Sequence, residues 1–95
     1  MFKYKVDVPS PSAERLNCFK TFYVNYMSAW GGDGTAFKTT IPDNIKSFEF
    51  NLPKEYIYLD PNIIDGDYYE SYIIFENSTK TRSEKILVRP KLVLL

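Results

Sequence analysis

The segment 60–70 holds the densest set of side chains that could do chemistry. Its oxygen donors are Asp60, Asn62, Asp65, Asp67 and Glu70. Carboxylate and amide oxygens are the ligands that Ca²⁺ prefers, but the spacing misses the calcium-loop pattern. Ile64 stands where a fifth-position ligand is needed, Gly66 comes one residue late, and Glu70 comes one residue early. We therefore predict an acidic turn here and assign no metal ligands, with a weak adventitious cation site as the alternative.

Catalytic groups are scarce elsewhere in the chain. Carboxylate pairs such as Asp65 with Asp67, or Glu49 with Glu70, could exchange protons, but no pattern fixes their separation. The 95 residues include no histidine, which excludes nucleophile–histidine triads, histidine bases and histidine zinc sites. Cys18 is the single cysteine, so no intramolecular disulfide can form. We predict a protein that is not an enzyme and uses no cofactor.

Gly31 to Thr35 reads Gly-Gly-Asp-Gly-Thr and superficially resembles a phosphate-binding loop. Such loops precede a helix, because the free backbone N–H groups lie at the helix N-terminus. Here the glycines follow a predicted helix, where carbonyl groups are presented instead. We therefore predict a helix stop followed by a turn.

Charge is balanced overall but divided along the chain. Twelve Lys and Arg match twelve Asp and Glu, which disfavours a uniformly basic nucleic-acid binder. Residues 48–78 carry one basic and seven acidic side chains, whereas residues 79–95 carry five basic and one acidic. One interpretation is that neighbouring strands pair opposite charges. The other is an acidic surface that docks a basic partner. That surface would be centred on Glu49, Asp65, Asp67 and Glu70.

The tyrosines support a second functional hypothesis. The tyrosines of the middle region are Tyr56, Tyr58, Tyr68, Tyr69 and Tyr72. On alternating strand positions they cannot all face one core, so some should lie on a wet sheet face. Bases of a single-stranded nucleic acid could stack there between Lys3, Lys5 and Lys85. The acidic residues of the same region would repel phosphate, which makes this the alternative.

Most of the chain has strand patterns. Apolar and charged residues alternate over 2–8 and again over 47–52, which indicates strands with one buried and one wet face. Further strands are predicted at 36–41, 55–59, 68–76 and 85–94. Pro90 cannot donate a ladder hydrogen bond, so it puts the last strand at a sheet edge or marks a bulge.

Residues 11–30 have the pattern of a long amphipathic helix. At about 100° per residue, eight apolar side chains gather in one arc. They are Leu16, Phe19, Phe22, Tyr23, Tyr26, Met27, Ala29 and Trp30. Ser10 can cap the N-terminus, Pro11 suits the first turn, and Gly31-Gly32 can stop the helix. A strand would place Lys20 in an apolar row, although the residue types themselves favour a strand.

The predicted fold is therefore a single α+β domain over residues 1–95. An N-terminal strand and the long helix precede a four- to five-strand antiparallel meander that packs on the helix. This order is similar to the cystatin-like arrangement, by analogy of fold only. The inhibitory cystatin motifs, a Gln-x-Val-x-Gly turn and a Pro-Trp turn, are absent, so that activity is not implied.

These patterns predict a non-enzymatic protein that acts by protein–protein contact. An inhibitor, an immunity-type protein or a viral accessory protein that blocks its partner sterically or competitively fits such a chain. The predicted partner-binding residues are Glu49, Asp65, Asp67, Tyr68, Glu70 and Tyr72. Leu92 to Leu95 could pair with a second copy at the C-terminal edge strand to form a homodimer. Without a leader or a membrane span in the sequence, we expect a cytoplasmic location.

Overall fold

The computed structural model describes residues 1–28, 31–53 and 68–93. The described residues form seven β-strands in two antiparallel sheets. The strands are β1 (Phe2–Asp7), β2 (Phe19–Met27), β3 (Gly34–Ile41), β4 (Ser47–Leu52), β5 (Tyr68–Glu76), β6 (Ser83–Leu87) and β7 (Lys91–Leu92). Sheet A has the strand order β4-β1-β7, and sheet B has the order β3-β2-β5-β6.

The predicted helix over residues 11–30 is wrong, and with it the α+β class and the cystatin-like order. Within that range the described residues contain one short turn of 3-10 helix, Glu14–Leu16, followed by strand β2. β2 is an interior strand of sheet B, hydrogen-bonded to β3 on one side and β5 on the other. The protein is nearly all β in the part of the chain that the structure describes.

The helix-like spacing arises because β2 carries large apolar side chains on both faces. Phe22 and Val24 point inward and are fully buried, while Phe19 and Tyr23 lie on the opposite face. When both faces of a strand carry apolar side chains, some apolar residues fall three or four positions apart. That is also the spacing of an apolar stripe on a helix. Lys20 does lie in the inward row, which is the arrangement that argued against a strand. The strand preferences of the residue types were the better guide.

The two sheets face each other across one aromatic core. Phe22 of sheet B lies 5.0 Å from Phe50 and 5.1 Å from Phe48 of sheet A, measured between ring centroids. Phe37 of β3 stacks on Phe50 at 5.1 Å, and Tyr4 of β1 stacks on it at 5.5 Å. Burying rings of this size supplies much of the stability of so small a domain. The inner faces are therefore committed to packing, which leaves the outer faces for contacts with other molecules.

The strand predictions for 2–8, 36–41, 47–52 and 68–76 are confirmed, and the sheets are antiparallel as predicted. The predicted strand over 85–94 is divided. It begins as β6 in sheet B, turns at the buried Val88, and continues after Pro90 as β7 at the edge of sheet A. A proline suits this crossing because it has no N–H to offer either ladder. The strand predicted at 55–59 lies outside the described residues.

Gly31 and Gly32 both have positive φ, +94° and +89°, in the connection between β2 and β3. The predicted helix stop at these glycines is wrong, because they link two strands; the positive φ marks a turn between β2 and β3. Among the described residues there is no helix whose length and hydrophobicity would let it cross a bilayer.

Candidate functional site

The outer face of sheet B carries an unusual set of side chains, which we call the tyrosine face. Along β2 and β5 the residues alternate between this face and the core, so the facing sets can be read from burial and strand register. The members are Lys38 and Thr40 of β3, Phe19, Thr21, Tyr23 and Asn25 of β2, Glu70, Tyr72 and Ile74 of β5, and Lys85 and Leu87 of β6. The described residues place no other element over it.

Two tyrosines stack at the centre of this face. Tyr23 and Tyr72 are directly opposite each other on β2 and β5, with ring centroids 5.1 Å apart and planes inclined by 20°. Lys38 Nζ lies 5.3 Å from the centroid of Tyr23, and Lys85 Nζ lies 4.2 Å from that of Tyr72. The order β3-β2-β5-β6 puts the two lysines on opposite flanks of the pair. The four side chains therefore form a continuous row, lysine, tyrosine, tyrosine, lysine.

This row occupies all four ring faces. Each tyrosine has the other tyrosine on one side and an ammonium group on the other, within the range of cation–π attraction. The rings therefore expose their edges, with the lysine side chains beside them. The arrangement is suited to contacts with polar and apolar groups that approach along the ring edges.

Hydrogen bonds hold the Tyr72 ring in place. Asn25 Nδ2 donates to the Tyr72 hydroxyl oxygen at 2.9 Å, and Thr35 Oγ1 donates to Asn25 Oδ1 at 3.3 Å. Lys85 Nζ also pairs with Glu70 at 3.0 Å, which fixes the lysine beside the ring. Because the Tyr72 hydroxyl accepts the bond from Asn25, its own proton remains for an acceptor outside the chain.

Apolar side chains lie at both ends of the face. Phe19 is 44% exposed, and Lys80 Nζ lies 5.0 Å above its ring. Leu87 is 56% exposed and stands opposite Tyr72 on the edge strand β6. Large apolar side chains beside a tyrosine pair give the face the mixed character of a protein interface.

The predicted partner-binding residues are divided between two surfaces. Glu70 and Tyr72 lie on the tyrosine face, two residues apart on β5. Glu49 lies on the outer face of sheet A, where it pairs with Lys3 at 3.6 Å. The sheets pack through their inner faces, so Glu49 and Glu70 point to opposite sides of the molecule. These two glutamates are not brought together, and both pair with lysines, as the charge-pairing interpretation expects.

The remaining predicted positions are only partly covered. Asp65 and Asp67 lie outside the described residues, as does the turn beginning at Asp60, while Tyr68 is described only as the first residue of β5. Within 1–28, 31–53 and 68–93, no three His, Cys, Asp or Glu side chains approach closely enough to hold a metal ion. The predicted homodimer through the C-terminal edge stays a prediction; β7 is the two-residue strand at that edge, with Leu92 40% exposed.

Three members of the central row were not predicted as site residues. The predicted helix places Tyr23 in its apolar arc. Lys38 lies in the strand predicted at 36–41, and no pattern there marks it as a site residue. Lys85 enters the predictions only as a residue that could flank stacked bases of a nucleic acid. A period-two count over β2 groups Tyr23 with Phe19, Thr21 and Asn25, a mixed row that does not by itself mark a wet face.

No protein-family model matches the chain, and no curated protein or solved structure is significantly similar to it. Its function therefore has to follow from the chemistry of its own surfaces.

Proposed function

We propose that this protein is a non-enzymatic binding protein that contacts another protein through the tyrosine face. The observation that carries the proposal is the ordered row formed by Lys38, Tyr23, Tyr72 and Lys85 on a sheet face that no element of the described residues covers. The partner chemistry that fits it is an amphipathic protein surface, with carboxylate or carbonyl acceptors for the row and apolar side chains for Phe19 and Leu87.

Pre-ordering makes this row effective in binding. Tyrosine offers a large amphipathic contact with only two side-chain torsions, so little conformational entropy is lost when it is covered. Here stacking and the hydrogen bond from Asn25 already restrict Tyr72. Binding then has to immobilise few additional groups, which is the general route to affinity by preorganisation.

A single-stranded nucleic acid is the alternative occupant. Lys38, Lys80 and Lys85 provide positive charge close to aromatic rings, which favours such a ligand. Base stacking on Tyr23 or Tyr72 needs a free ring face, however, and a lysine would first have to leave the ring. Glu70 and Glu76 on the same sheet add negative charge that repels phosphate. These contacts favour a protein partner.

The dimensions of sheet B suggest how far the partner extends. Four strands spaced about 4.8 Å apart and up to nine residues long give a face of roughly 15 by 30 Å. A stable interface buries about 800 Å² of accessible surface on each partner. A partner of that size would reach beyond the strands to the neighbouring connections. We include Asp65 and Asp67, which precede β5, as candidate rim positions of the same interface.

Occupation of the partner's own surface would be the mechanism. The protein would block that surface sterically or compete with another ligand for it, as an inhibitor, immunity-type or viral accessory protein does. No chemical step is required, so the effect should be stoichiometric and reversible, and its strength should follow the affinity of the tyrosine face.

The proposal is tested by capturing the partner with the wild-type chain, purifying it, and measuring its dissociation constant. Tyr72→Ala should weaken binding about thirtyfold, as expected for an interface hot spot. Tyr72→Phe, which removes only the hydroxyl, should have a smaller effect. The matched control is Glu49→Gln on the opposite outer face, which should leave the dissociation constant unchanged. Thermal melting of each variant separates lost contact from lost folding.

Two outcomes would contradict the proposal. One is a partner whose affinity is the same for the wild type and for folded Tyr72→Ala. The other is binding of oligo-dT that falls steeply with salt and is lost on Tyr72→Ala, which would assign the face to nucleic acid.

A further inference from the structure

Lys20 stands out at the end of the sandwich away from the tyrosine row. It occupies the inward row of β2, two residues before Phe22, and only 7% of its surface is exposed. A lysine is rarely buried to this degree unless its charge is paired. No carboxylate of the described residues lies within ion-pair distance of it.

The Lys20 side chain lines a cavity bounded by the segments Val8–Ser10 and Asn44–Lys46. Every fully buried side-chain nitrogen or oxygen among the described residues has a hydrogen-bond partner. No hydrogen bond or ion pair joins the Lys20 ammonium to a described residue, so its nitrogen keeps some exposed surface. The cavity has a volume of about 260 Å³, far above the roughly 10–15 Å³ that one water needs. Its inner wall includes Val8 and Ile45, which pack against the core.

The polar lining of this cavity consists of cations and hydrogen-bonding groups. The polar residues are Ser10, Asn17, Lys20, Asn44 and Lys46. No acidic side chain of residues 1–28, 31–53 or 68–93 lines it. Leaving a buried ammonium without a counter-charge is costly, and a bound anion would remove that cost. The lining therefore has the composition of an anion site.

We propose that this cavity binds an oxyanion of the phosphate class. Two ammonium groups match the double charge of phosphate at neutral pH, and lysine is a common point-charge ligand for phosphate. The hydroxyl of Ser10 and the amides of Asn17 and Asn44 can donate to the remaining oxygens. A carboxylate has one charge and two oxygens, so it would leave part of this set unused.

Basic side chains predominate on one side of this cavity, whereas Glu14, Asp43 and Glu76 line neighbouring cavities on its other sides. On the other side of the Val8–Pro9 segment lies a second cavity lined by Lys5, Arg89 and Lys91, together with Asp7. Its positive charge adds to the field at the Lys20 cavity. Lys20 also borders a third cavity with Asp43, Glu76 and Lys80, but neither carboxylate forms an ion pair with it.

Titration with inorganic phosphate at constant ionic strength, followed by amide NMR, tests the site. The amides of Asn17 and Asn44 should shift saturably with phosphate and much less with acetate. Lys20→Met should abolish the saturable shift, and Lys46→Met should weaken it at least about tenfold. The control is Lys38→Met on the tyrosine face, which removes the same charge and should bind like the wild type. A parallel titration with glycerol phosphate shows whether the site binds free phosphate more tightly or a phosphoryl group on a larger molecule.

Thermal melting provides a second readout. Without phosphate, Lys20→Met should melt at the same temperature as the wild type or higher, because it removes an uncompensated charge. Phosphate should then raise the melting temperature of the wild type more than that of the variant. Shifts that never saturate, or that are equal in wild type and Lys20→Met, would overturn the proposal. If Lys20→Met does not fold, binding to Lys46→Met as tight as to the wild type would overturn it as well.

Discussion

The two outer faces of the sandwich differ in chemistry, although no element of the described residues covers either of them. The outer face of sheet A carries Lys3, Lys5 and Asp7 of β1 opposite Ser47, Glu49 and Asn51 of β4. The tyrosine face of sheet B carries rings, aliphatic side chains and lysines that lean on the rings. The outer face of sheet A is polar, as solubility alone would explain. The tyrosine face also exposes apolar surface, which solubility does not explain.

This contrast is the reason for proposing the tyrosine face as the binding surface. The sequence suggests an acidic binding surface because acidic and basic residues are concentrated in different parts of the chain. In the structure, however, Glu49 and Glu70 each form an ion pair with a lysine of the same sheet. Exposed pairs of this kind contribute little to stability and are common on surfaces. The aromatic row is the feature that needs an explanation beyond solubility.

The largest effect is expected in the core that the two sheets share. Phe22 is fully buried and contacts Phe37, Phe48 and Phe50, so it links the inner faces of both sheets. Phe22→Ala should lower the free energy of unfolding by about 3–5 kcal/mol. Urea denaturation followed by circular dichroism measures it. Thr21→Ala, next to it on the outer row, should cost much less, and equal losses would mean that the inward and outward rows are wrongly assigned.

A smaller effect separates the two outer faces directly. A double-mutant cycle on Tyr23 and Tyr72 should give a coupling of about 0.5–1.5 kcal/mol that persists in 1 M salt. The same cycle on Lys3 and Glu49 should give about 0.2–1 kcal/mol at low salt. That coupling should disappear in 1 M salt, where screening acts within about 3 Å. A tyrosine coupling that vanished with salt would remove the distinction between the faces.

The smallest effect concerns a carboxylate of sheet B that no lysine holds. The hydroxyl of Ser12 and its backbone N–H, at 2.9 Å, both donate to Glu84, and these bonds lower the pKa of Glu84. A lowered pKa in the folded state means that the stabilisation is present above the unfolded pKa and is lost as pH falls through the folded value. Ser12→Ala should raise the Glu84 pKa toward its ordinary value in an NMR titration, whereas Ser83→Ala should leave it unchanged.

How far the sequence predicts this fold depends on how many faces of a strand are apolar. β1 and β4 have one apolar and one polar row, and their alternation predicted them correctly. β2 is covered on one face by the core and lined on the other by Phe19 and Tyr23, so alternation was lost and a helical spacing replaced it. Periodicity is informative only when one face is wet.

The candidate site was predictable in part for the same reason. The sequence predicts that some of the middle tyrosines lie on a wet sheet face because they cannot all be buried, and Tyr72 lies on the outer face of sheet B. Its stacking partner Tyr23 is distant in sequence and depends on the register between β2 and β5, which no local pattern encodes. In the sequence, Lys20 serves only as an argument against a strand. Its burial could not be predicted, because it depends on how the sheets pack.

The pairing of β1 with β7 affects the order in which the protein can fold. Tyr4 lies opposite Leu92 in sheet A, whereas in sheet B the chain returns from Met27 to Gly34 within a few residues. Closing the longer loop costs about 2 kcal/mol more in chain entropy, since the cost grows with the logarithm of loop length. The β2–β3 hairpin should therefore form early and the β1–β7 ladder last. Native-state hydrogen exchange should accordingly be faster at Val93, whose N–H bonds the carbonyl of Lys3, than at Val24.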